Sequence, residues 1–426
     1  MSLRALEEFG WRGLIAQTSD EVNLAAHLNE GPRTIYAGFD PTADSLHIGN
    51  LVPLLALQRL QRLGHRPIVL VGGATGLIGD PSFRGDERSL NSQEVVAEWV
   101  RKIRSQVEPY VSFKGANAAV VVNNLDWTAN LDVIAFLREI GKHFSVNAMI
   151  ARDSVRARLE RDGQGISFTE FSYMLLQGMD FLELSKRYGC SVQIGGSDQW
   201  GNIVSGIDLI RRVRHIPAYG LTLPLVTKAD GSKFGKTATG TIWLDPTKTS
   251  PYSFYQFWLN TSDSDVIAYL RFFTYQSARD IEELQIGVSS KPELREAQKC
   301  LAEKVTALVH GDVGLSQAQR ISESLFKGVV DALSEQDLQQ LAADGLASAR
   351  GSGNNGLLTS MVATGLAKST GEAKKLVESA AVSINGVLVT DSRSELAVDQ
   401  ALFGRFFLLR KGKKNWAIIE ITKKVN

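Results

Sequence analysis

Short apolar runs that end in turns of glycine and small polar residues recur through the first 230 residues of this 426-residue chain. The pattern predicts buried strands at 34–39, 67–71, 118–122, 192–194 and 221–226, with apolar helical patterns between them. Strands that alternate with helices form a parallel sheet of the doubly wound type, which binds ligands beyond the carboxyl ends of its strands. We therefore expect an α/β fold with a Rossmann-like parallel sheet and a site at that edge.

The composition is that of a globular protein long enough for two or three domains. No apolar run of 18 residues could span a bilayer, and the first nine residues lack the apolar stretch of a secretory signal. Cys190 and Cys300 have no pairing pattern, which favours a reducing compartment and so a cytoplasmic protein. The histidines are scattered, so we expect neither a protein-bound metal nor an organic cofactor.

Charge is distributed unevenly along the chain. The formal net charge of +1 argues against a DNA-coating protein. Residues 357–426, however, hold 11 Lys and Arg against 6 Asp and Glu, a net charge of +5. A basic tail on a mildly acidic body favours an RNA-facing module, although a solvated lysine-rich end remains an equal alternative.

The pattern after residue 230 predicts further domains. An aromatic-rich stretch of helical pattern is followed by Gly351–Gly356, which contains only Gly, Ser and Asn, and then by a hairpin pattern turning at Asn385-Gly386. We expect a catalytic domain at 1–230 with an insertion at about 124–190, a lysine-containing loop at 231–250, a helical domain at 251–330, a linker at 331–356 and a small α+β domain at 357–426.

One candidate phosphate site is the segment Gly-Phe-Asp-Pro-Thr-Ala-Asp-Ser-Leu-His-Ile-Gly-Asn at 38–50, which we name the first signature. His47 and Asn50 lie three residues apart at a predicted helix start, where their N–H donors and the helix N-terminus favour a phosphoryl group. Thr42 can add a hydroxyl. The alternative is that Asp44 or Ser45 caps the helix and His47 is a surface residue.

A second candidate is Lys233-Phe234-Gly235-Lys236-Thr237, which we name the second signature. Only three residues separate Gly231 from Gly235, where a P-loop needs four, so a P-loop is rejected. Two lysines three residues apart on a glycine-containing loop instead suit a clamp on polyphosphate. A solvated loop is the alternative.

Polar residues after two predicted strands and on one helix complete the candidates. Asp80 closes a glycine-rich turn and can hold an ammonium group, while Arg84 and Arg88 beyond it can hold phosphate oxygens or form surface ion pairs. Three residues share one face of an apolar helix and indicate a pocket wall or a buried network, namely Tyr173, Gln177 and Asp180. Asp198 and Gln199 follow Gly195-Gly196, where a ribose or an amino acid could bind.

These segments together resemble the bacterial tyrosyl-tRNA synthetases, which are class I aminoacyl-tRNA synthetases, over nearly the whole chain. The most specific segments are Gly-Phe-Asp-Pro-Thr-Ala-Asp-Ser-Leu at 38–46, Gly-Gly-Ala-Thr-Gly-Leu-Ile-Gly-Asp-Pro-Ser at 72–82 and Gly-Gly-Ser-Asp-Gln-Trp-Gly-Asn at 195–202. The family's first signature normally ends in histidine, whereas this chain has Asn50. An amide N–H can replace the imidazole donor, so we expect activity with a changed pH profile.

The resemblance implies a role for each candidate residue. Tyr36 and Asp180 would bind the phenolic hydroxyl of the substrate tyrosine, and its ammonium group would meet Asp80, Tyr173, Gln177 and Gln199. ATP would be bound by Gly38, Asp40, His47, Gly49, Asn50, Asp198 and Lys236. The catalytic residues would be Thr42, His47, Asn50, Arg84, Arg88, Lys233 and Lys236, with the arginines and lysines holding the leaving pyrophosphate.

The resemblance also implies the partners. ATP would arrive with Mg²⁺, and activated tyrosine would pass to tRNA(Tyr). The tail resembles an S-four-like RNA-binding domain with candidate contacts at Lys374, Lys375, Arg410, Lys411, Lys413 and Lys414, although Thr370 stands where that domain often has arginine. Members of the family are homodimers, and residues 124–168 would hold the interface. Three alternatives stay open: a tryptophanyl-tRNA synthetase, an RNA-binding or splicing-assisting protein, and a non-tRNA ligase of the superfamily.

Overall fold

The computed structural model describes residues 4–81, 91–160, 165–231, 234–237, 240–344, 346–351, 355–412 and 415–421. The helices are α1 (Ala5–Trp11), α2 (Glu21–Asn29), α3 (Leu51–Arg62), α4 (Thr75–Ile78), α5 (Gln93–Val107), α6 (Leu125–Thr128), α7 (Val133–Glu139), α8 (Val146–Ile150), α9 (Asp153–Leu159), α10 (Phe168–Tyr188), α11 (Trp200–Arg214), α12 (Pro251–Leu259), α13 (Asp263–Phe273), α14 (Ala278–Ser290), α15 (Glu296–Lys327, broken at Gly311), α16 (Glu335–Ala343), α17 (Leu357–Ala363) and α18 (Thr370–Glu378). Within those ranges, no helix has the length and apolar character needed to cross a membrane.

The strands are β1 (Gln17–Thr18), β2 (Thr34–Phe39), β3 (Arg66–Val71), β4 (Val120–Asn123), β5 (Cys190–Gly196), β6 (Tyr219–Leu223), β7 (Lys236–Thr237), β8 (Gly240–Thr241), β9 (Ala347–Gly351), β10 (Asn355–Gly356), β11 (Val382–Ile384), β12 (Val387–Val389), β13 (Glu395–Leu396), β14 (Phe406–Lys411) and β15 (Asn415–Ile421). The five strands predicted in the first 230 residues are present, with ends that differ by a few residues. The predicted helix after the first signature begins at Leu51, because Ile48–Asn50 form a 3₁₀ turn before it.

The main sheet has the order β1-β6-β5-β2-β3-β4. Its five longer strands are parallel. The short strand β1 lies at the edge of the sheet and pairs antiparallel with β6. The chain runs outward from β2 through β3 and β4, and then returns to the other side of β2 to form β5 and β6. This change of direction creates a crevice between the carboxyl ends of β2 and β5, the place where such sheets bind ligands. The predicted doubly wound fold is confirmed.

Helix α10 packs against this sheet and carries several candidate residues. It begins where the Ser167 side chain accepts a hydrogen bond from the Glu170 N–H, and it ends at Gly189, which adopts the left-handed conformation that a glycine takes without strain. Its residues Phe181, Leu182 and Leu184 are fully buried in the core that contains the strand residues of β2, β3 and β5. A rigid, buried helix therefore presents its polar groups to the sheet edge.

The chain forms two compact units that differ from the predicted division. One comprises Met1–Asp245 and Ser262–Ala297, and the other comprises Pro246–Thr261 and Gln298–Asn426. The stretch predicted as a helical domain, 251–330, is indeed helical, but α13 and α14 belong to the first unit and α12 to the second. The aromatic residues Phe254, Tyr255 and Trp258 are buried, as expected for core positions.

The segment 331–356, predicted as a linker, contains ordered elements. Leu338 and Leu341 of α16 are buried in one cluster with Phe406 of β14 and Ile418 of β15. Strand β9 pairs parallel with β15, and β10 pairs with β13. The linker prediction therefore needs correction for the described part, since it extrapolated from Gly351–Gly356 and overlooked the apolar periodicity of 335–343. The hairpin predicted to turn at Asn385-Gly386 is formed by β11 and β12, and α17, α18, β14 and β15 complete the α+β pattern predicted for 357–426.

Candidate active site

A cavity of about 630 Å³ opens at the crevice between β2 and β5. Its lining includes most of the candidates that lie among the described residues: Tyr36, Gly38, Asp40, Thr42, His47, Gly49, Asn50, Asp80, Tyr173, Gln177, Asp180, Asp198, Gln199 and Lys236. Residues from positions 36 to 236 of the chain therefore meet at one place. Arg84, Arg88 and Lys233 lie outside the described residues.

One deeply buried polar group of the cavity is the carboxylate of Asp180, which is only 2% exposed. It accepts hydrogen bonds from Asn124 Nδ2 and from Trp127 Nε1, both at 2.9 Å. Burial raises the pKa of Asp180 to about 7, although these two donors oppose the rise. The side chain is therefore held in one orientation and titrates near neutral pH.

Tyr36 lies beside this carboxylate and is 1% exposed. Its hydroxyl has no hydrogen-bond partner within the part of the chain that the structure describes. Burial, followed by the nearby charge of Asp180, raises the pKa of Tyr36 well above its ordinary value, so the hydroxyl stays protonated. A buried hydroxyl without a hydrogen-bond partner lowers the stability of the fold, and a bound ligand can supply the missing partner.

A chain of hydrogen bonds connects Asp180 to Tyr173. Asn124 Nδ2 also donates to Thr75 Oγ1 at 2.9 Å, and Thr75 Oγ1 donates to Asp40 Oδ1 at 2.6 Å. The Tyr173 hydroxyl donates to Asp40 Oδ2 at 2.7 Å. Both oxygens of Asp40 thus accept from side chains, which gives this predicted ATP ligand a role in orienting Tyr173.

Acceptor groups cluster on the side of the cavity that faces Asp80. Gln199 Nε2 donates to Asp80 Oδ2 at 2.8 Å and more weakly to Asp198 Oδ2 at 3.3 Å. The side-chain oxygen of Gln177 is buried and has no partner among the described residues. Burial raises the pKa of Asp198. The oxygens of Asp80, Tyr173 and Gln177 therefore form a pocket suited to a cation such as an ammonium group.

Three residues of this region were missed by the sequence reasoning. Gln193 on β5 is 2% exposed, lines the cavity and has an unpartnered side-chain oxygen within the described chain. Its signal was an amide inside the apolar run Val192–Ile194. Asn124 and Trp127, which orient Asp180, follow β4 directly, so polar residues at the end of that strand were the available signal.

The first signature is held in a defined hydrogen-bonded form. His47 Nδ1 accepts from the Gly49 N–H at 3.0 Å, and the His47 N–H donates to Asn50 Oδ1 at 3.0 Å. Because Nδ1 is the acceptor, the neutral ring carries its proton on Nε2. Burial, and secondarily the charge of Lys236, lowers the pKa of His47, so the neutral form is favoured. The remaining donors are His47 Nε2–H and the Asn50 amide.

The second signature lies against the first one. The Ile48 N–H donates to the Ile242 carbonyl, and the Ile242 N–H donates to the Gly235 carbonyl, both at 2.9 Å. Lys236 begins the small β7–β8 hairpin and is exposed on the wall of the cavity. The ammonium group of Lys236 and the donors of His47 and Asn50 therefore share one side of the cavity, where they can bind an anion.

The candidate RNA-binding residues belong to the second unit. Lys375 is exposed on α18, and Lys374 beside it lies 3.8 Å from Glu378. The Arg410 guanidinium lies 4.9 Å above the Trp416 ring, and Lys411 donates to the Leu366 carbonyl at 2.6 Å. Lys413 and Lys414 lie outside the described residues. Arg410 and Lys411 thus stabilise their own domain, whereas the two α18 lysines face solvent.

Comparison with known proteins identifies relatives over the whole chain. Residues 28–327 match the family model described as tRNA synthetases class I (W and Y), and residues 337–419 match the tyrosine--tRNA ligase SYY-like C-terminal domain. The tyrosine--tRNA ligase of Dechloromonas aromatica (strain RCB) is 56% identical over 409 residues, which cover 96% of each chain. That of Chromobacterium violaceum is 55% identical over 416 residues, 97% of this chain and 98% of its own.

Among solved structures, a C-terminally truncated mitochondrial tyrosyl-tRNA synthetase of Aspergillus nidulans is similar to this chain. It is 30% identical, with a TM-score of 0.69, and the match covers 76% of this chain and 94% of the fungal one.

Proposed function

The chain belongs to the class I tRNA synthetases (W and Y), and we propose that its cavity activates L-tyrosine with ATP before the enzyme transfers the amino acid to tRNA(Tyr). The enzyme is a tyrosine-specific ligase, since its relatives at 56% and 55% identity are tyrosine--tRNA ligases and its C-terminal residues match the tyrosine-type domain. A tryptophan enzyme and a catalytically idle RNA-binding protein are accordingly not favoured.

The observation that carries the assignment of the pocket is the buried, unpartnered hydroxyl of Tyr36 beside Asp180. A substrate phenol would donate to the Asp180 carboxylate and accept from the Tyr36 hydroxyl. Phenylalanine would leave the Tyr36 hydroxyl without an acceptor and would not supply the phenol's donor to the Asp180 carboxylate, which is costly. Known tyrosyl-tRNA synthetases reject phenylalanine by about 10⁵ in this way and need no editing site.

The ammonium group of tyrosine binds among Asp80, Tyr173 and Gln177. The Tyr173 hydroxyl donates its hydrogen bond to Asp40, so its oxygen lone pairs are left to accept a hydrogen bond from the ammonium group. Gln177 offers a carbonyl oxygen that has no partner among the residues described. Gln199 supports the site by donating to Asp80. Tyrosine is thus bound at both ends, which places its carboxylate toward the two signatures.

ATP binds with its phosphates at the signatures and its ribose at Asp198. The donors for the phosphates are His47 Nε2–H, the Asn50 amide and the Lys236 ammonium, with Thr42, Gly38 and Gly49 on the same wall. Arg84, Arg88 and Lys233 join them on the departing pyrophosphate. Mg²⁺ accompanies ATP as part of the substrate and offsets phosphate charge.

Two displacements then follow. The tyrosine carboxylate oxygen attacks the α-phosphorus in line, so the bond to the β-phosphate oxygen breaks and pyrophosphate leaves. A ribose hydroxyl of the terminal tRNA adenosine next attacks the carbonyl carbon of the adenylate, loses its proton and displaces AMP. No enzyme residue forms a covalent bond, and rate enhancement comes from placement and from charge stabilisation.

The quaternary structure we propose is a homodimer. Seven large apolar side chains in the segment 124–168 are exposed, namely Val133, Ile134, Leu137, Val146, Ile150, Leu159 and Phe168. Exposed apolar side chains at this density favour a protein interface.

The C-terminal domain contacts tRNA through the α18 lysines. We place the enzyme in the cytoplasm, in keeping with its two cysteines, Cys190 and Cys300, which form no disulfide with each other.

Charging of tRNA tests the function as a whole. The purified enzyme is expected to attach labelled tyrosine to bacterial tRNA in the presence of ATP and Mg²⁺, and to attach neither tryptophan nor phenylalanine. Asp180→Ala provides the matched variant, since it alters only the phenol end of the pocket. Attachment of tryptophan in place of tyrosine would overturn the assignment of the pocket.

A further inference from the structure

The phenylalanine of the second signature packs on one face of α13. The Phe234 ring lies 5.5 Å from the Phe273 ring with an interplanar angle of 19°, a stacked arrangement. It also meets the Tyr269 ring edge-on at 5.1 Å. Tyr269 and Phe273 are buried, and their own rings meet at 6.1 Å. Such aromatic pairs contribute about 0.5–1.5 kcal/mol each beyond the area that they bury. We name Phe234, Tyr269 and Phe273 the aromatic anchor.

The same face of α13 holds the segment that leads into the second signature. The Tyr269 hydroxyl donates to the Thr227 carbonyl at 3.1 Å, and the Ala229 N–H donates to Asp265 Oδ1 at 2.8 Å. Two hydrogen bonds and the ring packing therefore hold Thr227, Ala229 and Phe234 along about two turns of one helix.

On the other side of Phe234, the chain touches the first signature closely. Gly235 has a φ of +73°, and a Cβ added there would lie 2.5 Å from Ile48 Cγ2. Only glycine permits both this backbone conformation and this approach. The Gly235 carbonyl also accepts from Ile242, whose own carbonyl accepts from Ile48. Phe234 thus lies between α13 and the first signature, two residues before Lys236.

Helix α13 is itself tied to the helix that follows the first signature. Buried Arg59 of α3 donates from Nη2 to the carbonyls of Phe272 at 3.0 Å and Thr274 at 2.8 Å. Arg12 donates from Nη1 to the Thr274 carbonyl at 3.1 Å. These guanidinium groups pair with carbonyls that a helix C-terminus leaves without intrahelical donors. The two signatures are therefore held by one connected framework.

From this framework we infer that Phe234 is a positioning residue, which acts through Lys236 by fixing its backbone relative to His47. The inference rests on the proposed function, because it concerns the phosphate contacts of that site. A lysine has about 2 kcal/mol of side-chain rotational entropy, so its ammonium is placed well only if its backbone is fixed. Misplacing a catalytic group by about 1 Å can cost about 100-fold in rate. We expect tyrosine binding not to depend on the anchor, because the residues proposed to bind tyrosine (Tyr36, Asp80, Tyr173, Gln177 and Asp180) do not include an anchor residue.

The test is tyrosine-dependent pyrophosphate exchange with four variants of the full chain. Phe234→Ala is expected to lower kcat by about 100-fold while the KM for tyrosine stays within about twofold. Phe234→Tyr keeps the ring and should retain kcat within about threefold. Phe113→Ala removes a half-exposed aromatic ring outside the site and serves as the matched control, with unchanged kinetics.

In a Lys236→Ala background, Phe234→Ala should lower kcat by less than about a further threefold, because the two residues act together.

A normal kcat for Phe234→Ala, or a full additional loss in the Lys236→Ala background, overturns the inference. Trypsin cleavage after Lys236, followed by mass spectrometry, gives a readout that does not need activity. Phe234→Ala should be cut at least tenfold faster than the Phe113→Ala control, and equal rates also overturn the inference. An inactive wild type would instead count against the proposed function, and the cleavage comparison would still decide the role of the anchor.

Discussion

The side-chain oxygen of Asn50 accepts a hydrogen bond from the backbone N–H of His47 at 3.0 Å. This contact orients the Asn50 amide so that its NH₂ group is left to donate into the cavity. His47 is oriented in turn by the Gly49 N–H, which leaves Nε2–H as its donor. The first signature therefore presents two N–H donors, an amide that does not titrate and an imidazole whose pKa is lowered by burial, which favours its neutral form.

Replacing Asn50 by histidine should add a titrating group to the phosphate side of the site. A histidine there has an ordinary pKa of about 6.5, and its cationic form adds positive charge beside the departing pyrophosphate. The ratio of kcat for Asn50→His to kcat for wild type should therefore rise as pH falls through about 6.5. Pyrophosphate exchange at saturating substrates between pH 5.5 and 8.5 measures this ratio, and a ratio that does not vary with pH would discard the prediction.

Replacing Asp180 by alanine should damage the use of tyrosine far more than the use of ATP. The change removes the acceptor for the phenol and also leaves the Asn124 and Trp127 donors without a partner. We expect kcat/KM for tyrosine to fall by at least about 10- to 100-fold and the KM for ATP to change little. Asp180→Asn keeps the volume and serves as the control for packing. Unaltered tyrosine kinetics in Asp180→Ala would contradict the pocket assignment.

Asp180 should also make stability depend on pH. Its folded-state pKa of about 7 lies above the usual 3.8, so its stabilising contribution is fully present below about pH 4 and is lost as pH rises through 7. Asp180→Asn removes this ionisation. Urea unfolding between pH 5 and 8 should therefore show Asp180→Asn gaining stability relative to wild type as pH rises. A constant difference across that range is the contrary result.

The homodimer can be tested at Phe168, which is 77% exposed at the first position of α10. A buried, unpaired carboxylate in an apolar interface is strongly destabilising, so Phe168→Asp should convert the dimer to a monomer. Light scattering coupled to size-exclusion chromatography measures the mass directly. Phe403→Asp, an exposed position in the C-terminal domain, should leave the mass unchanged. If both variants have the wild-type mass, the interface lies elsewhere.

The strand pattern was sufficient to predict the sheet and the location of the site. Apolar runs such as Thr34–Phe39 have the length and the β-branched and aromatic content of a buried strand, and parallel strands bring their carboxyl ends together. Residues at those ends, including Asp80 and Asp198, therefore could be predicted to meet. The domain limits could not be predicted, because α13 belongs to the first unit although it follows α12, a helix of the second unit, in the chain.

The hydrogen-bond and packing partners of individual side chains could not be predicted from the sequence. The proton of His47 is assigned to Nε2 by a contact with Gly49 two residues away, which depends on the backbone conformation of the turn. Arg410 and Lys411 looked like RNA contacts by charge alone, but one lies over Trp416 and the other donates to a carbonyl. Gln193 was not predicted as a site residue, because a single amide residue within an apolar strand produces no periodic pattern.

Amino-acid-dependent ATP–pyrophosphate exchange without tRNA tests the central claim most directly. The enzyme would be assayed in parallel with tyrosine, tryptophan and phenylalanine. The pairing of the substrate phenol with Tyr36 and Asp180 predicts exchange with tyrosine alone. Exchange with tryptophan, or comparable exchange with phenylalanine, would contradict it, because neither amino acid can satisfy those two buried groups.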